Sequence, residues 1–228
     1  MLLTEKYKYN PLARVNVEGK RHYRAEGNPL PSVTTILSAL KDQSGLDEWR
    51  NRIGHKEANE IMNIAASIGT SVHSFIEYYI LDENREIKNN YINKIGKKLS
   101  DIVIEKGLCN IDEVWGTEIP LYNPGLYAGT ADCVGVWKGK HTIIDFKTSR
   151  KAKKEEWIED YFIQGCLYAL AHNEVYKTSI RTVVIMMIGW DGDNEGNYQE
   201  FVIDGLEFDR YAIMASRKVA EYYDRILI

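Results

Sequence analysis

Two aspartates and a lysine, Asp132, Asp145 and Lys147, lie in a stretch that reads as one β-hairpin, Gly129 to Lys147. Ala131 to Trp137 alternates as a strand, Thr142 to Lys147 as the next, and Lys138-Gly139-Lys140 separates them. A two-residue turn centred on Lys138-Gly139 puts Asp132 opposite Asp145. Asp145 and Lys147, two apart, share a face; the Phe146 side chain turns into the core and its carbonyl stays free for a metal. Carboxylates converging from neighbouring strands stay ionised together only with a cation between them. Hard oxygen donors of this kind suit Mg²⁺ or Mn²⁺. That is the layout of a metal-dependent phosphodiesterase. The ordinary alternative makes the aspartates solvated hairpin residues and Lys147 a surface lysine.

Several elements must position this hairpin. The first thirty or so residues are polar and turn-rich, reading as a short hairpin or an arm, and Leu30 to Leu37 opens a helix with Ser32 or Thr34 as cap. Asp47 to about Leu81 reads as helical, broken or bent near Gly54 and Gly69-Thr70. Its apolar stripe runs through Ile61, Ile64, Ala65, Ile68, Val72, Phe75, Ile76 and Tyr79, with His73 and Glu77 four apart beside it. A helix over 89–106 precedes three strands, 114–121, 127–137 and 141–146. A helix over 155–172, strands at 182–189 and 198–203, and a C-terminal helix from about Phe208 complete the order. This is an α/β chain with a mixed sheet flanked by helices, expected as a single domain over 1–228. Within it, 1–81 forms an arm and a helical wall carrying His73, 114–203 the catalytic sheet and helix, and 207–228 the last helix. The turn at Asp191 opens like an EF-hand loop, but Val202 stands where the bidentate glutamate belongs, so calcium is rejected and a hairpin kept.

The composition excludes other classes. With 44% hydrophobic and 27% charged residues the chain is ordinary for a folded domain, and no apolar run reaches the roughly 20 residues needed to span a bilayer. With no N-terminal apolar segment it reads as cytoplasmic, or host-cytosolic if phage-encoded, with no membrane partner. Cys109, Cys133 and Cys166 are too few for a four-thiolate iron–sulfur cluster and too scattered for a zinc finger. A net charge of −4 gives no global pull toward nucleic acid, so binding must use a local patch. Lys147, Ser149, Arg150, Lys151, Lys153 and Lys154, directly after the metal strand, form one; its plain alternative is a solvated loop.

The ordered set Gly69-Thr70-Ser71-Val72-His73 with Glu77, Glu118, Gly129-Thr130-Ala131-Asp132, Asp145-Phe146-Lys147 and Gln164-x-x-x-Tyr168 resembles the PD-(D/E)XK nucleases of RecB type. The Leu30 to Leu37 entry and the Trp49-Arg50 pair look most like that family's mitochondrial genome-maintenance and phage exonucleases. The resemblance implies a restriction-endonuclease-like core with an N-terminal helical extension. It also implies His73, Asp132, Asp145 and the Phe146 carbonyl as metal ligands, Lys147 as the lysine that orients or helps deprotonate the attacking water, and Gln164 and Tyr168 as support for site and phosphate. Glu118 and Glu77 are further candidate ligands whose role varies. Trp49, Trp157 and Tyr161 are candidates for stacking on bases or for packing, and Trp49 and Arg50 are placed with the nucleic-acid contacts.

The expected function is a deoxyribonuclease using one or two Mg²⁺ or Mn²⁺ ions on single-stranded DNA with a free end, in replication, repair or recombination. A recombination or replication partner is open. The alternatives are a flap endonuclease of the same fold and a non-catalytic nucleic-acid-binding subunit.

Overall fold

The computed structural model describes residues 1–4, 6–190 and 196–226. The N-terminal part holds strands β1 (Leu2–Leu3), β2 (Ala13–Val17), β3 (Lys20–Ala25) and β4 (Asn28–Pro31), then helices α1 (Val33–Leu40), α2 (Ser44–Ile53), α3 (His55–Ile80) and α4 (Tyr91–Lys106). Strands β5 (Ile111–Asn123), β6 (Tyr127–Trp137) and β7 (Lys140–Ser149) follow, then α5 (Glu159–Tyr176), β8 (Thr182–Gly189), β9 (Asn197–Asp204) and α6 (Gly205–Ile226). One six-stranded mixed sheet has the order β1-β5-β6-β7-β8-β9, and β2-β3-β4 form a second, antiparallel sheet.

The large sheet is a meander of β5, β6 and β7 extended by a crossover. β7 and β8 are parallel, from Ile143 beside Val183 to Ser149 beside Gly189, and a parallel pair needs a long connection, which α5 supplies. Strand β8 is buried along its whole length, as the unbroken run Val183 to Ile188 requires of a strand covered on both faces. Its residues alternate between two cores: Val183, Ile185 and Met187 pack toward α5 and α6, while Val184, Met186 and Ile188 pack toward α3 and α4. The α/β expectation therefore holds as helix layers on both faces of a mixed sheet.

Three local expectations need correction. The expected N-terminal hairpin is present as β2–β3, but β4 extends it to a three-stranded sheet and β1 pairs parallel with β5. The chain breaks at Gly54 (φ 92°), as expected, but Gly69-Thr70 lies inside the uninterrupted α3. Ile68, Val72, Ile76 and Ile80, all buried, keep one face of that helix on the core, and this burial outweighs the roughly 1 kcal/mol that one interior glycine costs. The helix expected from Glu155 starts at Glu159 after a 3-10 turn over Glu155–Trp157. The expected turn at Asp191 lies outside the described residues, although β8 and β9 pair antiparallel on either side of it.

Candidate active site at a fork between two strands

The turn at Lys138 and Gly139 has positive φ at both residues, 46° and 76°, the type I′ pattern of a two-residue hairpin. It fixes the register of β6 on β7, from Trp137–Lys140 to Cys133–Ile144. The next pair in that register is Asp132 with Asp145, and there the ladder ends: β6 continues against β5 alone and β7 against β8. In place of a ladder bond, Asp132 Oδ2 accepts the Phe146 backbone N–H at 2.8 Å. A residue's N–H and C=O project to the same strand edge, so the Phe146 carbonyl also faces the fork, while its side chain is buried in the α3 core.

On the other side of β6, the pairs Thr117–Cys133 and Ile119–Ala131 put Glu118 across from Asp132. Glu118 has a φ of 49°, a left-handed conformation costing a non-glycine residue on the order of 1–2 kcal/mol. Glu118, Asp132 and Asp145 thus form a row across three adjacent strands. Neither the strain nor the row is legible in β5 by itself.

Helix α3 brings His73 to this row. Its Nδ1 lies 3.7 Å from Asp132 Oδ1 and 3.9 Å from Glu118 Oε1, and ligand atoms of all three residues fall within 4.8 Å of one another. The two His73 distances are too long for hydrogen bonds, yet inside the ~4.2 Å that two ligands of one cation, each ~2.1 Å from it, can span. Burial disfavours the imidazolium, but Asp132, Glu118 and Asp145 outweigh burial and the opposing Lys147, raising the His73 pKa to about 9. A ligating imidazole must be neutral, so a bound cation would displace this proton. Gly69, one turn before His73, explains the close approach: a Cβ there would stand 3.1 Å from Thr148 Oγ1 on β7.

On the α5 face, Asp145 is fully enclosed and held by Lys147, whose Nζ lies 2.6 Å from Oδ2 and 2.8 Å from Oδ1. The ammonium donates a hydrogen bond to Oδ1 and forms an ion pair with Oδ2, so both oxygens of the buried carboxylate face it. Burial pushes the Asp145 carboxyl up and Lys147 pulls it down, with the net direction upward. Lys147 is also raised: burial opposes its charge, but Asp145 and Asp132 favour it, so the group is an ammonium. Its Nζ sits 5.2 Å from the ring centre of Tyr161. Farther along α5, Gln164 donates to the Tyr168 hydroxyl at 3.2 Å. Tyr168 lies so close to β6 that a Cβ on Gly129 would meet its Cε1 at 2.8 Å. The glycines of Gly-Thr-x-x-His and Gly-Thr-Ala-Asp therefore have one purpose each, to let α3 and α5 close on the fork.

The remaining expected residues spread outward. Glu77, one turn beyond His73, is raised by burial and by Glu118 but is outside the His73–Glu118–Asp132 set. After β7, Arg150 and Lys151 are exposed, and Ser149 and Arg150 border a small cavity with Trp190. The Lys153 backbone is tied on both sides to Gln199, and Lys154 lies over Trp157 and beside Glu156. Arg50 reaches Met62 on α3, eleven residues and about 16 Å along the axis before His73, so the Trp49–Arg50 pair is not gathered with the carboxylates. Sequence reasoning missed Tyr23 of β3, whose hydroxyl lies 3.3 Å from Thr130 Oγ1, two residues from Asp132. Only the long-range packing of the small sheet reveals it.

A mixed sheet between helix layers, with carboxylates at the end of a hairpin and an Asp-x-Lys strand beside them, is the arrangement that the resemblance to PD-(D/E)XK nucleases implies. No family model matches the chain. It is similar to mitochondrial genome maintenance exonuclease 1 of Xenopus tropicalis, 27% identical over 191 residues covering 75% of the chain and 52% of the relative. It is also similar to the Homo sapiens and Mus musculus proteins of that name, 26% identical over 72% of the chain and 25% over 80%, covering 51% and 59% of those relatives. The chain thus spans about half the length of these relatives. An exonuclease candidate of known crystal structure from Eubacterium rectale shares the fold, with a TM-score of 0.52 and 15% identity over 72% of this chain and 66% of the other.

Proposed function

We propose that the chain is a divalent-metal-dependent deoxyribonuclease that hydrolyses phosphodiester bonds from free ends of single-stranded DNA, with residues 1–228 acting as one nuclease unit. The observation that carries this reading is the fork itself. His73, Glu118 and Asp132 offer ligand atoms on one side, the buried Asp145 carboxylate held by Lys147 lies on the other, and the Phe146 N–H···Asp132 bond holds the two together. Carboxylates gathered this closely repel one another, and a cation held among them removes that repulsion. His73, Asp132, Asp145 and the Phe146 carbonyl, with Glu118 in support, would hold Mg²⁺ or Mn²⁺; Mn²⁺ suits the imidazole better. Such an ion, when bound, polarises the scissile phosphate and acidifies the attacking water.

The chain's own residues do the rest. Lys147, an ammonium on the α5 side, positions the water and offsets negative charge developing on the phosphoryl oxygens. Tyr161 steadies Lys147, and Gln164 with Tyr168 buttresses the β6 side. Arg150 and Lys151 hold the backbone without reading sequence. Relatives named as genome maintenance exonucleases support DNA as the substrate.

The preference for a free single strand follows from the walls. Helix α3, 26 residues long, runs along one side of the fork, and β2–β4 cover Ala128 on another. A flexible strand enters such a channel more readily than a duplex that stays straight over ~150 base pairs. End-labelled linear, duplex and closed circular DNA incubated with Mn²⁺ test this. The linear single strand is cut fastest and the circle hardly at all; rapid cutting of the circle would show that no end is threaded.

A further inference from the structure

The chain carries a net charge of −4, yet the β2–β3 hairpin presents exposed Arg14, Lys20, Arg21 and Arg24 against the single acidic Glu18 at its turn. Among the described residues, none of these four cations forms a salt bridge with the acidic groups that pair elsewhere. The register Arg14–Tyr23 and Asn16–Arg21 puts Arg14, Asn16, Arg21 and Tyr23 on one face of the small sheet. Arg14, Asn16 and Arg21 line one concavity with Val15 and Gly19. Tyr23, about 7 Å along β3 from Arg21, turns inward to Thr130, itself about 7 Å along β6 from Asp132. The hairpin is also anchored: the Arg21 carbonyl accepts the Ser32 N–H at 3.0 Å and the Thr35 hydroxyl at 2.8 Å, at the start of α1.

Two guanidiniums and a side-chain amide around one hollow, fixed to the scaffold beside the fork, match the fork-shaped donors that bind phosphate oxygens in pairs. We infer that this face of the hairpin is a second phosphate-binding site, which grips the sugar–phosphate backbone of the DNA strand a few nucleotides away from the bond being cut. The inference rests on the proposed nuclease reading and extends it to where the strand runs. It explains how an acidic chain holds a polyanion: the contacts are local, backbone-directed and indifferent to sequence.

The test uses the full chain, with Arg14→Ala and Arg21→Ala combined. Both side chains are exposed and the Arg21 anchor is a backbone carbonyl, so the variant keeps the fold. Fluorescence anisotropy with labelled single strands of increasing length reads binding, and single-turnover cleavage with excess enzyme reads chemistry. On long strands the variant binds roughly tenfold more weakly at moderate salt and its log–log salt slope falls by about 1.4, the release expected from two single-strand phosphates. Its rate at saturating enzyme and its affinity for the shortest cleavable strand stay at wild-type values. Unchanged affinity for long strands, an equal loss on the shortest strand, or a dimer dependent on Arg14 and Arg21 in light scattering overturns the inference. Hairpin-dependent binding by a wild-type chain that cuts nothing overturns the nuclease reading and leaves the site standing.

Discussion

Asp132 Oδ2 accepts the Phe146 N–H at 2.8 Å at the point where β6 and β7 stop pairing. One side chain thus does two things: it closes the end of a ladder and presents its other oxygen to His73 at 3.7 Å. The two roles separate by substitution. Asp132→Ala leaves the Phe146 N–H without its acceptor and lowers stability by about 1–3 kcal/mol. Asp132→Asn retains an acceptor oxygen and stays within about 1 kcal/mol of wild type. Both lose Mn²⁺ binding. Urea denaturation and metal titration of the pair check this, and equal stability of the two variants would count against the structural role.

Lys147→Ala lowers the cleavage rate by more than ~100-fold, the scale of losing one group that stabilises transition-state charge. Affinity for single-stranded DNA changes far less. Arg150→Ala and Lys151→Ala do the opposite, weakening binding evenly across sequences. Turnover within twofold of wild type after Lys147→Ala would reduce the lysine to a partner for Asp145.

Gly129→Ala puts a methyl 2.8 Å from Cε1 of the buried Tyr168 ring. Overpacking of this kind costs about 1–3 kcal/mol. Thermal denaturation of the variant measures it, and pairing Gly129→Ala with Tyr168→Leu restores most of the loss if the ring is the obstacle.

His172 supplies a pH dependence away from the site. It is buried, with hydroxyl partners on both ring nitrogens, Tyr9 at 3.0 Å and Thr178 at 2.8 Å. Burial, then His141, lowers its pKa from 6.5 to about 4. The unfolded chain therefore takes up a proton below about pH 6.5 that the native chain refuses until about pH 4. The stabilisation is complete above pH 6.5 and declines as pH falls between these values, by about 3 kcal/mol in all. Urea midpoints of wild type and His172→Gln between pH 7 and pH 4.5 check the sign: the gap between them narrows or reverses toward acid. A gap that widens would contradict it.

The facing of Asp132 and Asp145 is legible in the sequence because a two-residue turn and period-two alternation are local, and together they fix a register. Helix α3 is legible for the same kind of reason, through its four-residue stripe. Its continuity through Gly69 is not, because the glycine serves a contact with Thr148 on a strand far along the chain. Strand β1 has two residues, too few to show any period. The positive φ of Glu118 and the approach of Tyr23 to Thr130 are products of tertiary packing. The motif residues His73, Asp132, Asp145 and Lys147 could be named from their order, while the separation of Asp145 from the His73–Glu118–Asp132 set required the geometry.

The central claim is that cations held at the fork make the chain a nuclease. The most direct measurement is cleavage of an end-labelled linear single strand in Mn²⁺, in Mg²⁺ and in EDTA, by wild type and by Asp145→Asn. Wild type cuts in both metals, in Mn²⁺ at least as fast as in Mg²⁺, and stops in EDTA, while Asp145→Asn binds the strand without cutting it. Wild-type rates in EDTA, or from Asp145→Asn, would contradict the account.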